Sequence, residues 1–239
     1  LHPDERFLVW VGSDISPART ETTLNPDGSV GEKKIWIGWD EYFDTPNSTM
    51  NPNNRGHGFY VYGTLPMFIT RLAVEWVYGH SGFNEMTDIG RALSTVADLL
   101  VIILIYAIGS RQYDRRVAAL AAAFYAAMAL PIQQAHFFTM DTFINLFTLL
   151  ALYFAVRISS DQRSWALTRD HYENAPKPNS VRGIWQTLSR HPLFLPSLGF
   201  GLAYGMAVAS KLNAFPVALA LPLAVLIRIA GLPRSQRSQ

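Results

Sequence analysis

Five apolar stretches beyond residue 90 decide what this chain can become. They read "ALSTVADLLVIILIYAIG" (92–109), "VAALAAAFYAAMALPI" (117–132), "FFTMDTFINLFTLLALYFAV" (137–156), "LFLPSLGFGLAYGMAVAS" (193–210) and "LNAFPVALALPLAVLIRIA" (212–230). Each approaches the roughly 20 apolar residues that carry a helix across a bilayer. A backbone in hydrocarbon must satisfy its own polar groups, so the expected fold is an all-α integral membrane bundle of about five transmembrane helices. Several stretches are short or contain Pro and Gly, which is tolerated where neighbouring helices resatisfy the backbone.

The rest of the chain is of another kind. Mean hydropathy is only +0.11, too low for a protein that lies in the membrane throughout. Residues 1–60 hold nine acids and five bases. Two regions are therefore expected: a polar segment, 1–90, and a transmembrane region, 91–239. Among 239 residues there is no cysteine, which excludes disulfides, thiolate metal sites and a thiol nucleophile. A formal charge of +2 does not suggest nucleic acid. No P-loop, dinucleotide fingerprint or HExxH sequence is present. The opening "LHPDERF" lacks a basic segment followed by an apolar run, so it is no signal peptide. A start at Leu1 reads as a fragment from which a preceding hydrophobic helix is missing.

One further stretch, "FYVYGTLPMFITRLAVEWVYG" (59–79), has Arg71 and Glu75 at its middle. Four residues apart, they share a helix face, which favours an amphipathic helix lying in the interface over a span. Loop charges agree. With 59–79 outside, three inner stretches are net basic: the loop with Arg111, Arg115 and Arg116, the linker 157–192 with six bases against three acids, and the tail with Arg228, Arg234 and Arg237. Making 59–79 a span inverts them all against the positive-inside rule. The first 90 residues and the turns at 131–141 and near 210 are therefore expected on the outer side, and 157–192, with "NAPKPNS", as a solvated cytoplasmic linker.

This topology gathers scattered polar residues at one membrane surface: Asp4 and Glu5, Arg55 and His57, Arg91, His136 and Asp141, and Lys211. Each has a plain alternative. Glu5 reads also as an acid at a positive helix end, Asp141 as an N-cap, His136 as a packed interfacial histidine, and Arg91 and Lys211 as side chains reaching for headgroups. Asp98 lies inside an apolar span, where an acid costs roughly 2.5–3.5 kcal/mol on insertion scales, so it is expected to face protein and to have a partner.

The motifs "HPDERF", "YFDTPNSTMNPNNRGHGFYVYGTLP", "GRALSTVADLLVIILIYAIG", "YDRRVAALAAAFYA", "PIQQAHFFTMDTF" and "GLAYGMAVASK", in that order, resemble the membrane glycosyltransferases related to dolichyl-phosphate-mannose protein mannosyltransferases, within the C-type superfamily. The resemblance implies an enzyme of a bacterial plasma membrane. It would take a mannose-like sugar from a polyprenyl-phosphate carrier and pass it, with inversion, to a protein, lipid or cell-wall acceptor at the extracytoplasmic face. It also implies a catalytic acid in the first outer loop, matched by Asp4 with Glu5 beside it, and a further acid in the second, matched by Asp141. Family members have a helix before the acidic motif and more helices afterwards.

Such chemistry needs a carboxylate near the acceptor hydroxyl as general base, for which Asp4 comes first and Glu5 second. The departing phosphate needs positive charge, available from Arg91, Lys211 and Arg55. Asp141 can orient sugar hydroxyls or, with His136, bind a divalent cation; residue types alone do not choose between these. Two other readings are a non-catalytic membrane module that binds a lipid-linked glycan or partner chains, and a transporter suggested by Asp98. No function is assigned to the segment 19–44.

Overall fold

The computed structural model describes residues 2–24, 29–160 and 181–230. The middle of the expected linker 157–192 and the end of the basic tail, with Arg234 and Arg237, lie outside the described residues. The chain divides into two compact units: Leu1–Val96 with Gln133–Met140, and Ala97–Ile132 with Asp141–Gln239.

In the first unit, helix α1 (Pro3–Asp14) starts with proline in its first turn, where the missing N–H costs nothing. His2 caps it, its Nδ1 accepting from the Asp4 N–H at 3.3 Å. Glu5, Leu8, Val9, Val11 and Gly12 form its buried face. Strands β1 (Ala18–Leu24) and β2 (Val30–Trp36) follow as an antiparallel hairpin in register from Ala18 opposite Trp36 to Leu24 opposite Val30. The short helix α2 (Trp39–Phe43) and a 3-10 turn (Pro52–Arg55) lead to α3 (Leu65–Tyr78). This chain segment is tied back where the Ser16 N–H donates to Thr49 O at 3.1 Å and Thr49 Oγ1 donates to Ser16 O at 2.6 Å.

Helix α3 occupies most of the stretch expected as one amphipathic helix, and Arg71 and Glu75 do share a face, paired at 2.6 Å. That face points into the protein. Arg71 Nε donates to Ile15 O at the end of α1, 2.9 Å away, and Glu75 also pairs with Lys34 of β2. Lys34 Nζ donates to Gly79 O at 2.7 Å as well. One lysine thus fastens the hairpin to the end of α3, where Gly79 supplies the left-handed cap with φ +72°. Burial draws the Arg71 guanidinium down to about 10.

Helix α4 (Phe83–Gln112) has 30 residues, about 45 Å at 1.5 Å per residue. It begins nine residues ahead of the apolar stretch that starts at Ala92, and those added turns carry Glu85, Asp88 and Arg91. Helices α5 (Arg115–Ala127) and α6 (Ala129–Ala135) meet at a bend of 62°. Then come α7 (Met140–Ser160), α8 (Val181–Arg190), α9 (Phe194–Ser210), a 3-10 segment (Leu212–Leu219) and α10 (Ala220–Ala230).

Among the described residues, three helical segments are long and apolar enough to cross a membrane: α4, α7 and Leu212–Ala230. The bent pair α5–α6 makes a fourth if it crosses as one, while α9, apolar but of 17 residues, is shorter. The protein is thus a largely helical, membrane-integrated fold with three to four spans by length, against the five expected; the difference lies in the bend after Ala127 and the brevity of α9. In the second unit Ala151, Ala155 and Ile158 of α7, Phe200 and Ala203 of α9 and Ala224 of α10 make a buried core. Small residues let these helices approach closely, as packing in lipid requires.

Candidate active site

The first turn of α1 sends its two acids to different places. Glu5 falls on the inward stripe with Leu8, Val9 and Gly12 and is 0% exposed. Arg91 of α4 grips it with both arms, Nε to Oε1 at 2.6 Å and Nη2 to Oε2 at 2.8 Å. The Phe138 N–H adds a third donor to Oε1 at 3.1 Å. Burial pushes the Glu5 carboxyl up, but the Arg91 hydrogen bonds, the Phe138 N–H and the arginine charge together hold it below its ordinary value. The pair is a fork-to-carboxylate match that lysine would not reproduce. Arg91 also lies 5.9 Å from the centre of the Phe137 ring, and His2 packs on that ring at 5.5 Å.

This close approach of the 133–140 segment to α4 depends on Gly90. A Cβ there would run into the Phe138 ring, so Gly90 lets Phe138, itself fully buried, deliver its N–H to Glu5.

Asp4 is at the edge of the same turn with its side chain 47% exposed. Tyr62 Oη donates to Asp4 Oδ1 over a long 3.5 Å, and His2 Nδ1 is 4.0 Å from Oδ2. Beside it Phe7, Tyr60 and Tyr62 form a three-ring cluster with centroids 6.1–6.3 Å apart. Burial raises the Tyr60 phenol above its usual range, and its hydroxyl donates to Gly63 O at 2.8 Å. The result is a carboxylate open to solvent, flanked by a phenol and ring faces, on a base made rigid by Glu5 and Arg91. A cleft of about 460 Å³ lined by Pro3, Arg6, Phe7, Trp10 and Phe83 opens on the neighbouring face of α1. Such a carboxylate can accept a proton from a bound hydroxyl, and flat rings can stack on apolar faces of a ligand.

The other expected residues are distributed more widely. His57 is buried and bonds Asp14 Oδ2 through Nε2 at 2.7 Å, with the Trp10 ring edge-on at 5.1 Å. Arg55 ends the 3-10 turn and is exposed. His136 belongs to the first unit and is exposed. Asp141 belongs to the second unit, inside the first turn of α7 rather than ahead of it as an N-cap. Its Oδ1 accepts from Lys211 Nζ at 2.7 Å. The order of the chain does not announce that pair, because the two residues are 70 positions apart. Asp98 has the partner expected of it: Tyr125 Oη donates to its Oδ1 at 2.8 Å, and Asn145 Nδ2 donates to Tyr125 Oη at 3.1 Å. Among the described residues no group of three or more His, Asp or Glu side chains is arranged to hold a metal ion.

Sequence reasoning named Asp4, Glu5 and Arg91 but missed the aromatic wall of Phe7, Tyr60 and Tyr62. The signal was present in "FYVYG" (59–63), where alternate tyrosines place two rings on one side of an extended segment.

Residues 81–168 match the family model of dolichyl-phosphate-mannose-protein mannosyltransferase. That stretch is less than half of the chain. It begins just ahead of α4 and contains Arg91, Asp98, His136 and Asp141, but not Asp4 or Glu5. No curated protein and no solved structure matches the chain.

Proposed function

We propose that this protein is an integral membrane glycosyltransferase that takes a sugar from a polyprenyl-phosphate carrier, with Asp4 as general base. The observation that carries the reading is the divided fate of adjacent acids: Glu5 sealed by Arg91 and Phe138, Asp4 solvent-facing beside Tyr62. The family-model match over residues 81–168 and the apolar helices long enough to span a bilayer support the class of enzyme.

In the proposed step an acceptor hydroxyl oxygen attacks the anomeric carbon and its proton passes to the Asp4 carboxylate. The carbon–oxygen bond to the carrier breaks, and the phosphate departs with the electron pair. A single displacement of this kind inverts the anomeric centre. Tyr62 holds the Asp4 carboxylate in place, and Glu5 with Arg91 is a positioning pair that keeps the first turn of α1 rigid. The leaving phosphate needs positive charge, for which Arg55 is an exposed candidate in the same unit. In the second unit, Lys211 would exchange Asp141 for an anionic ligand, and Asp141, freed, would accept from sugar hydroxyls. We place this site at the extracytoplasmic face, because the basic loops favour the opposite side of the membrane.

The test is transfer of label from radiolabelled polyprenyl-phosphate sugars by the full-length protein in vesicles. Asp4→Asn is expected to abolish transfer while membrane insertion and melting temperature stay as in wild type. Wild-type transfer by that variant removes Asp4 from the mechanism.

A further inference from the structure

Helix α3 is amphipathic in an inverted sense. Its charged residues, Arg71 and Glu75, are buried at 3% and 5% exposure and occupied by Ile15 O and Lys34. Its outward stripe is Leu65, Ile69, Leu72 and Trp76, at i, i+4, i+7 and i+11, with no polar group in it. Leu72 is 44% and Trp76 86% exposed. Helix α2 extends that surface. Tyr42 packs edge-on against Phe68 of α3, ring centres 6.0 Å apart, while Trp39 and Phe43 stay 78% and 72% exposed.

Water is a poor partner for so large an apolar face on a helix whose own charges, Arg71 and Glu75, are turned inward. The chain itself says what lies nearby. Only Gly79–Gly82 separate the end of α3 from Phe83, the first residue of α4, and four residues reach at most about 14 Å. With a length of about 45 Å, α4 matches a bilayer including its headgroup zones, so its first turn emerges at the headgroup level. The end of α3 is therefore tethered at that level, where tryptophan rings are favoured.

We infer that α2 and α3 form a lipid-docking surface, with Trp39, Phe43, Leu72 and Trp76 immersed in the outer boundary of the bilayer and the Arg71–Glu75–Lys34 cluster on the side away from it. The occupant is the bilayer itself. Because Arg71 holds Ile15 O at the end of α1, this immersion sets the height of α1, and of Asp4 at its far end, relative to the headgroups. The inference does not depend on the reaction proposed above.

The absence of cysteine makes the test direct. Single cysteines in place of Phe43, Leu72 and Trp76, and Glu21→Cys on the exposed hairpin as an aqueous reference, carry a nitroxide in full-length protein reconstituted at low density in phosphatidylcholine vesicles. Collisions of the label with oxygen are compared with collisions with a water-soluble nickel chelate. Oxygen is expected to dominate at 43, 72 and 76 and nickel at 21. Adding Leu72→Lys, a change at an exposed position that leaves the fold intact, is expected to shift position 43 towards nickel. Nickel dominance at 43 and 76 overturns the inference by placing the face in water. Exclusion of both reagents there overturns it by covering the face with protein. Since nothing in this experiment reads transfer of sugar, an inactive protein with lipid-immersed labels would defeat the proposed function and leave the docking surface standing.

Discussion

Glu5 and Asp4 illustrate how one residue of offset separates structure from chemistry. Removing the Glu5 carboxylate leaves Arg91 without its partner next to a packed ring, and a broken buried pair costs about 3–5 kcal/mol. Because Arg91 keeps 40% of its side chain exposed, the low end is expected: Glu5→Ala should destabilise by about 3 kcal/mol, measured as a lowered melting temperature in detergent, and Arg91→Lys should recover only part of the loss. The pH dependence follows from direction. The folded Glu5 carboxyl is held below its ordinary value, so its stabilisation is complete above the normal carboxylate range and is lost as pH falls through that lowered value. Wild type should therefore melt at lower temperature as the medium becomes acidic, and Glu5→Gln should show a flatter profile between neutral and acid pH. Tyr62→Phe removes one hydroxyl next to Asp4 and leaves the ring cluster intact. A fall in kcat with stability unchanged is expected in the vesicle transfer assay, whereas equal losses in both would make Tyr62 a packing residue only.

At the scale of elements, close approach and anchoring matter more than propensity. The 133–140 segment reaches Glu5 only because position 90 has no side chain, and Gly90→Ala forces either α4 or Phe138 to shift. Overpacking of this kind costs about 1–3 kcal/mol. The variant should melt earlier than wild type and lose activity together with stability, which a parallel melt and transfer assay would reveal. Strands β1 and β2 pose a different problem, since a two-stranded hairpin is marginal alone. Lys34, pairing with Glu75 and bonding Gly79 O, is its main tie to α3. Lys34→Ala is therefore expected to open the hairpin to proteolysis while α3 keeps its contact with Ile15, read as a new cleavage within 18–36 at unchanged helical content. The sequence carried a hint of this hairpin in "NPDG" (25–28), a turn signal between the threonine-rich "TETTL" and "EKKIWI". A segment read as unassigned was thus recognisable in kind, though not in what it is fastened to.

For the whole molecule, the charge of the loops is the basis for orientation. Arg111, Arg115 and Arg116 follow α4, Arg157 closes α7 and Arg228 lies in the last turn of α10. With these on the inner side, cysteines placed at positions 4 and 141 are expected to react with an impermeant maleimide added outside sealed vesicles of right-side-out orientation, and one at Arg115 only after permeabilisation. Reaction of 4 and 141 from opposite sides would end the expectation that both acids lie at the same membrane surface.

The amino-acid order alone determined the membrane character, the polar beginning, the shared face of Arg71 and Glu75 and the need of Asp98 for a partner. Each is a matter of local composition or of spacing along a single helix, where the period of 3.6 residues and the thickness of the bilayer do the arguing. Only the tertiary structure decided that Glu5 is locked and Asp4 open, that Lys211 meets Asp141, and that the charged face of α3 looks inward. Those outcomes rest on partners 86 residues away for Arg91 and 133 for Phe138, and no local periodicity encodes which of two neighbouring carboxylates a distant arginine will reach.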